Sequence, residues 1–263
     1  SSRCIASGYR AVAVVRSGTA RQCPWETGPM TEHMEAFEIR EIETVEQAHQ
    51  AAELLDRIWP GPSSALPANV IRALAHSGNY VVGIFDGAEM VGAVVAFFGP
   101  PESRSMHSHV AGVLSEYQGR GVGRMLKQHQ REWAFSRGIG HITWTFDPLI
   151  ARNAHFNLTV LGARVTEYLV DQYGSMGDGV NRGDESDRLF VSWALAAPAS
   201  APREEDVVTS VAIPSDIAAL RRDDPSEALE WRYRVRDAFL GLLEDGLVVV
   251  GFDNDRGYLF GRA

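Results

Sequence analysis

From Phe37 onward the apolar and polar positions fall into regular periods. Phe37–Glu41 alternates, as a half-buried strand does. Ala48, Ala51, Ala52, Leu55, Ile58 and Trp59 recur at helical spacing behind Thr44-Val45-Glu46-Gln47, a capping-box sequence. Pro60 ends that helix, and a short second one is expected over Pro67–His76. Tyr80–Phe85 and Met90–Phe98 read as two strands of a hairpin turning at Asp86-Gly87. Met106–Leu114 is a further strand, Gly121–Arg137 an amphipathic helix stopped by Gly138, and His141–Phe146 a strand rich in Ile, Thr, Trp and Phe. A helix over Arg152–Leu161 ends at Gly162. Strands at Ala163–Val170 and Arg188–Leu195 then flank the Gly- and Asp-rich stretch Tyr173–Asp187.

This order predicts an α/β (α+β mixed) fold with a mixed sheet and helices on both faces. Ala196–Arg203, rich in Ala, Pro and Ser, reads as a linker. A smaller unit follows it, with a strand at Val207–Ile213, a helix over Pro225–Glu244 and a strand at Leu247–Phe252. Trp231 and Phe239 lie on one side of that helix and are expected to dock it on the main body. The expected division is an extension over 1–36, a main domain over 37–197 and a C-terminal extension over 198–263. Ser1–Gly28 has no sustained period, and the extension over 1–36 is expected to be disordered; its apolar patch Ala11–Val15, broken at Arg16, falls short of a secretory leader.

Composition narrows the function classes. The net charge is -9 over 263 residues, which argues against nucleic acid or anionic lipid as the main partner. Both cysteines, Cys4 and Cys23, lie near the N-terminus, and no pair has zinc-site spacing, so no metal is expected. A reducing, cytoplasmic location fits this usage. No apolar run approaches the ~20 residues of a membrane helix.

The segment Val113-Leu114-Ser115-Glu116-Tyr117-Gln118-Gly119-Arg120-Gly121-Val122-Gly123-Arg124 carries the chemistry. It runs from strand to glycine-rich turn to helix. Unpaired amides at a helix start, approached without Cβ interference, form an anion cradle, and Arg120 and Arg124 add charge. A nucleotide P-loop would need Gly-Lys-Ser/Thr, and Arg124-Met125 follows Gly123 instead. The spacing G-x-G-x-G also differs from the dinucleotide fingerprint. An anion site and a structural turn both remain open on the glycines alone.

Gln118-x-x-Gly121-x-Gly123 after this strand is similar to motif A of the GNAT superfamily of acyl-CoA N-acyltransferases, and the element order over Phe37–Leu195 resembles that fold. Gly138-Ile139, Leu161-Gly162-Ala163, His107-Ser108-His109, Trp144–Pro148, Arg152-Asn153-Ala154 and Asn181–Arg188 resemble a narrower subgroup with a C-terminal extension, some of whose members N-acylate or N-succinylate amino acids. The resemblance implies a mostly antiparallel, splayed sheet. It implies acyl-CoA, as acetyl-CoA or succinyl-CoA, as co-substrate, held by Gln118, Gly119, Arg120, Gly121, Val122, Gly123 and Arg124, by the backbone of Ala111 and Val113, and by Asn153. The acceptor it implies is the amine of a small molecule, an amino acid favoured. A CoA-binding protein without transfer and a protein N-acetyltransferase are the alternatives, and the assembly is left open, a homodimer included.

Two proton tasks belong to such a transfer. The family's usual acid is a tyrosine four residues before the glycine at Gly162, and Leu158 stands there. Tyr168 and Tyr173 are candidate substitutes, and His109 and Asp147 are candidate bases, with His107 on the same strand face as His109. Arg182 and Arg188 are candidates for clamping a substrate carboxylate.

Overall fold

A computed structural model describes residues 37–61, 64–174, 184–196 and 202–262. The expectations for residues 1–36, for Arg182 and for most of the linker lie outside the described residues.

The described residues open with strand β1 (Phe37–Glu41) and helix α1 (Val45–Ile58), then α2 (Ala68–His76), β2 (Val81–Asp86), β3 (Glu89–Phe98) and β4 (Ser105–Val113). Helix α3 (Val122–Ser136), β5 (His141–Phe146), α4 (Ala151–Ala154), β6 (Arg164–Leu169) and β7 (Arg188–Ala194) follow. The capping box forms: Thr44 Oγ1 accepts the Gln47 amide at 3.2 Å, and Gln47 Oε1 accepts the Thr44 amide at 3.1 Å. The hairpin turns at Asp86-Gly87, with Asp86 opposite Glu89. Helix α4 continues as a π-helical stretch over His155–Val160, so the expected helix is present with a looser pitch.

Seven strands form one sheet in the order β1-β2-β3-β4-β5-β7-β6. All neighbours are antiparallel except β4 and β5. A parallel neighbour needs a crossover, and α3 supplies it. Strands β2 and β3 are buried along almost their whole length because helices cover both their faces. Ala51, Leu55 and Ile71 of α1 and α2 pack with Val81, Ala93 and Val95 on one side. Val122, Leu126 and Ala134 of α3 pack with Val82, Val94 and Ile142 on the other.

That second core extends into the C-terminal residues. Strand β8 (Val207–Val211), helices α5 (Ile217–Asp223) and α6 (Pro225–Glu244), and strands β9 (Leu247–Asp253) and β10 (Gly257–Arg262) form a unit with a small sheet, order β8-β10-β9. Phe239 is fully buried between Tyr168 of β6 and Tyr258 and Phe260 of β10. Trp231 is half-buried against the same core. Tyr258 donates to the Pro148 carbonyl at 2.8 Å.

Two elements here are not predicted from the pattern. Helix α5 has only seven residues, too few to show a period, and depends on Asp216 accepting the Ala219 amide at 2.9 Å. Strand β10 is bracketed by Gly257 and Gly261, which suggest a turn; both are needed because a Cβ would strike the carbonyls of Val211 and Asp206.

Charge also joins the two units. Arg232 of α6 is fully buried, and its Nη1 reaches Asp147 Oδ1 at 2.8 Å while its Nη2 reaches Asp184 Oδ2 at 2.8 Å. Arg221 Nη2 bonds the same two carboxylates at 2.7 and 2.6 Å. Removing one member of a buried ion cluster leaves an unpaired charge in low dielectric. Replacing Arg232 with Met should cost about 3–5 kcal/mol and lower Tm by on the order of 10 °C in a thermal melt, with Asp147→Asn doing less harm because its volume and some hydrogen bonds remain.

Candidate active site

The glycine-rich loop adopts the geometry an anion cradle needs. Gly119 and Gly121 have φ of 77° and 82°, a left-handed conformation that side-chain-bearing residues resist. Gly121 is the N-cap of α3, and no side chain caps it. The first helical amides, at Val122, Gly123 and Arg124, therefore keep their donors for a ligand and carry the positive end of the helix dipole. A Cβ built on Gly119, Gly121 or Gly123 would meet no protein atom within 4 Å, so open space lies in front of all three. Gln118 turns back to donate to the Val113 carbonyl at 3.1 Å, tying the loop to the strand. Arg120 lies exposed with its guanidinium 5.2 Å from the Tyr117 ring centre.

Beside this loop the sheet forks. β4 and β5 pair over three positions only, from Ser105 with His141 to His107 with Thr143. β4 stays paired with β3 as far as Val113, and β5 with β7 as far as Phe146. Beyond His107 the β5-facing edge of β4, with the candidate positions Ala111 and Val113, therefore has no strand partner, although the Val113 carbonyl accepts from Gln118. An open edge of this kind offers its amides and carbonyls for pairing, and an extended ligand with amide groups of its own can add to it as a further strand.

A bulge marks the fork. Val95 pairs with Val110 and Ala96 with Ser108, so His109 is the extra residue. Met106 packs in the α3 core before the bulge, and Val110 and Leu114 pack against α1 and α2 after it. A two-residue period read straight through Met106–Leu114 does not show this switch of faces. Its result is that His109 stands exposed at the mouth of the fork.

His107 and His109 share the face not covered by α3, as their alternation implies. Both rings lie against Phe97, at 5.4 and 5.8 Å. His107 stacks on Phe190 at 6.0 Å and meets Thr143 Oγ1 through Nδ1 at 3.1 Å. Thr145 Oγ1 and the Tyr173 hydroxyl are 3.0 Å apart. Arg188 lies over the Tyr173 ring at 5.5 Å and donates to the Asp187 carbonyl at 2.8 Å. The structure thus gathers His109, Tyr173 and Arg188 on one polar and aromatic face, next to the fork. Burial, with the neighbouring charges of His109 and Lys127, brings the His107 pKa down to about 4, and desolvation lowers His109 in the same direction.

Asp147 does not join them. It is buried at the end of β5 and accepts from Arg221 and Arg232. Burial alone would raise its pKa, but the charge and hydrogen bonds of Arg232, then of Arg221, hold it far below the ordinary carboxylate range. A carboxylate so held does not accept protons at neutral pH, so its candidacy as a base is withdrawn. Its visible signal, Asp-Pro at a strand end, does not reveal partners 74 and 85 residues away. Tyr168 is likewise spent: it is buried and donates to Asp187 at 2.7 Å. Leu158 is buried in the π-helical stretch and, with Gly251, Phe252 and Leu259, lines a cavity of about 210 Å³ against the small sheet. Asn153 is half-buried in α4.

One residue was missed. Lys127 of α3 is buried beneath the fork, with Nζ 3.0 Å from both Ser108 Oγ and Gln130 Oε1 and 4.2 Å from the Trp144 ring centre. Its signal in the sequence is a lysine on the apolar side of an amphipathic helix, next to Leu126. No group of three or more metal-ligating side chains occurs among the described residues, and no helix among them is long and apolar enough to cross a membrane.

Residues 48–156 match the acetyltransferase (GNAT) family. Among solved structures, the ribosomal-protein-S18-alanine N-acetyltransferase of Escherichia coli aligns with a TM-score of 0.51 at 12% identity, covering 64% of this chain and 99% of that one. The ribosomal-protein-S5-alanine acetyltransferase of Vibrio fischeri aligns at 0.49 and 17% identity, covering 61% and 94%. A GNAT-family acetyltransferase of Streptococcus pneumoniae aligns at 0.49 and 15%, covering 59% and 98%. No curated protein matches this chain by sequence.

The lowered pKa of His107 has a stability signature. The unfolded chain binds this proton near pH 6.5, the folded one only near pH 4, so the unfolded state holds more protons between these values. Stability should be full above pH 6.5 and fall as pH drops toward 4. In chemical denaturation at stepped pH, His107→Phe should lose less stability than the native protein across this window.

Proposed function

We propose that this chain, which belongs to the GNAT superfamily of acyl-CoA-dependent N-acyltransferases, moves an acetyl or succinyl group to the amine of a small molecule, with an amino acid or a derivative as acceptor. The observation that carries the reading is the pairing of a bare, left-handed glycine loop with a forked sheet at the same end of α3. The loop suits a pyrophosphate, and the open edge of β4 suits the amide-bearing arm of CoA. The division into a main domain over 37–197 and an extension over 198–263 belongs to this proposal.

The acyl group then lies in the fork, and the acceptor comes from the face of His109, Tyr173 and Arg188. Its amine attacks the thioester carbonyl directly, and CoA leaves as the thiol. A peptide's α-amino group, of pKa about 7.7–8.0, is roughly one-tenth neutral at pH 7; the carboxylate of a free amino acid raises its amine above that range, so a base is needed, and His109 at the fork mouth takes that role. Arg188 faces the acceptor carboxylate, for which a guanidinium has the matching geometry.

The loop is tested by Gly123→Val. Gly123 has open space in front of it and helical backbone, so the added side chain blocks the ligand without straining the fold. Affinity for free CoA should fall at least tenfold in calorimetry while the Tm of the unliganded protein stays within about 2 °C; unchanged affinity would make the loop structural. The acceptor is tested by thiol release from acetyl-CoA and succinyl-CoA against D- and L-amino acids and their carboxamides. Arg188→Ala should raise KM for the acids more than for the carboxamides, and an equal effect on both would remove the clamp.

A further inference from the structure

Lys127 is a buried cation whose partners among the described residues are neutral groups. Its contacts are Ser108 of β4, Gln130 one turn along α3, and the ring of Trp144 on β5. Gln130 also donates to Ser108 at 3.2 Å, which fixes the serine between them. No carboxylate pairs with Lys127 among the described residues. An ammonium placed this way is costly, since burial without a counter-charge favours the uncharged form. Of the other inward positions of α3, Val122, Leu126 and Ala134 are apolar and Gln130 is a neutral amide, so none of them sets a precedent for a buried charge.

Its position is specific. Ser108 is the first β4 residue beyond the last paired position, and Trp144 is the first on β5. Lys127 therefore bridges the two strands at the point where they part, below the place where the reading above puts the thioester. The tyrosine that would protonate the leaving group is replaced by Leu158, and that side chain is occupied with the small sheet. Tyr168 is committed to Asp187. Lys127 stands on the fork itself.

We propose that Lys127 is the proton donor to the departing CoA sulfur. When the acceptor nitrogen has attacked, the carbon–sulfur bond breaks and its electron pair goes to sulfur. An Nζ–H of the Lys127 ammonium passes to that sulfur and gives the thiol. The proton lost by the acceptor nitrogen leaves through His109 to solvent, and neutral Lys127 regains one from solvent before the next turnover. The buried charge also favours the negative sulfur before the proton moves. Burial brings the lysine's pKa down to about 7, a suitable value for an acid working at neutral pH. The groups around it, Ser108, Gln130 and Trp144, do not titrate in this range, and the charge coupled to it across the sheet is that of His107.

The test rests on the CoA reading and separates from it. Free CoA is bound to the native protein and to Lys127→Met, and the thiol is titrated by thiolate absorbance; Lys127→Gln serves as a second variant if the first does not fold. A free thiol ionises near about 8.5, and the bound thiol should ionise at least one pH unit lower in the native protein than in either variant. The variants should also lose about 100-fold in kcat with little change in KM for acyl-CoA. Equal thiol midpoints in native and variant proteins, or an undiminished kcat, would overturn the role of Lys127, and a purely structural lysine would leave the midpoint where it is. Failure of the native protein to bind CoA at all would instead overturn the reading of the loop, and this inference with it.

Discussion

Much of this structure follows from how briefly β4 and β5 are paired. Parallel strands joined through a helix would ordinarily pair along their shared length. Here three positions pair and the rest diverge, while each strand remains bound to its antiparallel neighbour. The sheet is stable because those outer ladders run along both strands, with the bulge at His109 as an interruption. The fork is therefore a stable vacancy in an otherwise continuous hydrogen-bond network. It places unpaired backbone, a bulged histidine and the start of α3 within one region, which makes a polar, extended ligand the natural partner for it.

The fold was largely legible because its strands and helices are long and regularly patterned. The hairpin at Asp86-Gly87, the capping box at Thr44 and the stop at Gly138 each have a local cause within a few residues. Helix α5 and strand β10 were not legible because their causes are distant or small: a seven-residue span, and glycines whose need arises only against Val211 and Asp206. The loop was legible for the same reason the hairpin was, since φ above zero demands glycine at Gly119 and Gly121.

The rest of the site was only partly legible. His109, Tyr173 and Arg188 meet on one face, although they lie on three separate segments. Asp147 was misread because a carboxylate at a strand end looks alike whether it faces solvent or two guanidiniums. Lys127 falls on the inward side of the α3 period, but a lysine there reads equally as a stem along the core with its ammonium in water. Only the third dimension shows that it turns in, between Ser108 and Trp144.

The arginines of α5 and α6 give the end of the chain a part in finishing the middle. Asp147 and Asp184 are the carboxylates that Arg221 and Arg232 neutralise, and Asp187 bonds Arg236. During synthesis all seven strands of the main sheet leave the ribosome before any of these arginines does. Until they arrive, the carboxylates at the tip of β5 and the approach to β7 have water as the partner of their charge, in place of the guanidiniums of α5 and α6. The main sheet has its strands in place first, and the ion cluster at Asp147 and Asp184 closes once α5 and α6 follow. The order of the sequence thus sets an order of assembly, in which the carboxylates of the main sheet precede the arginines that neutralise them.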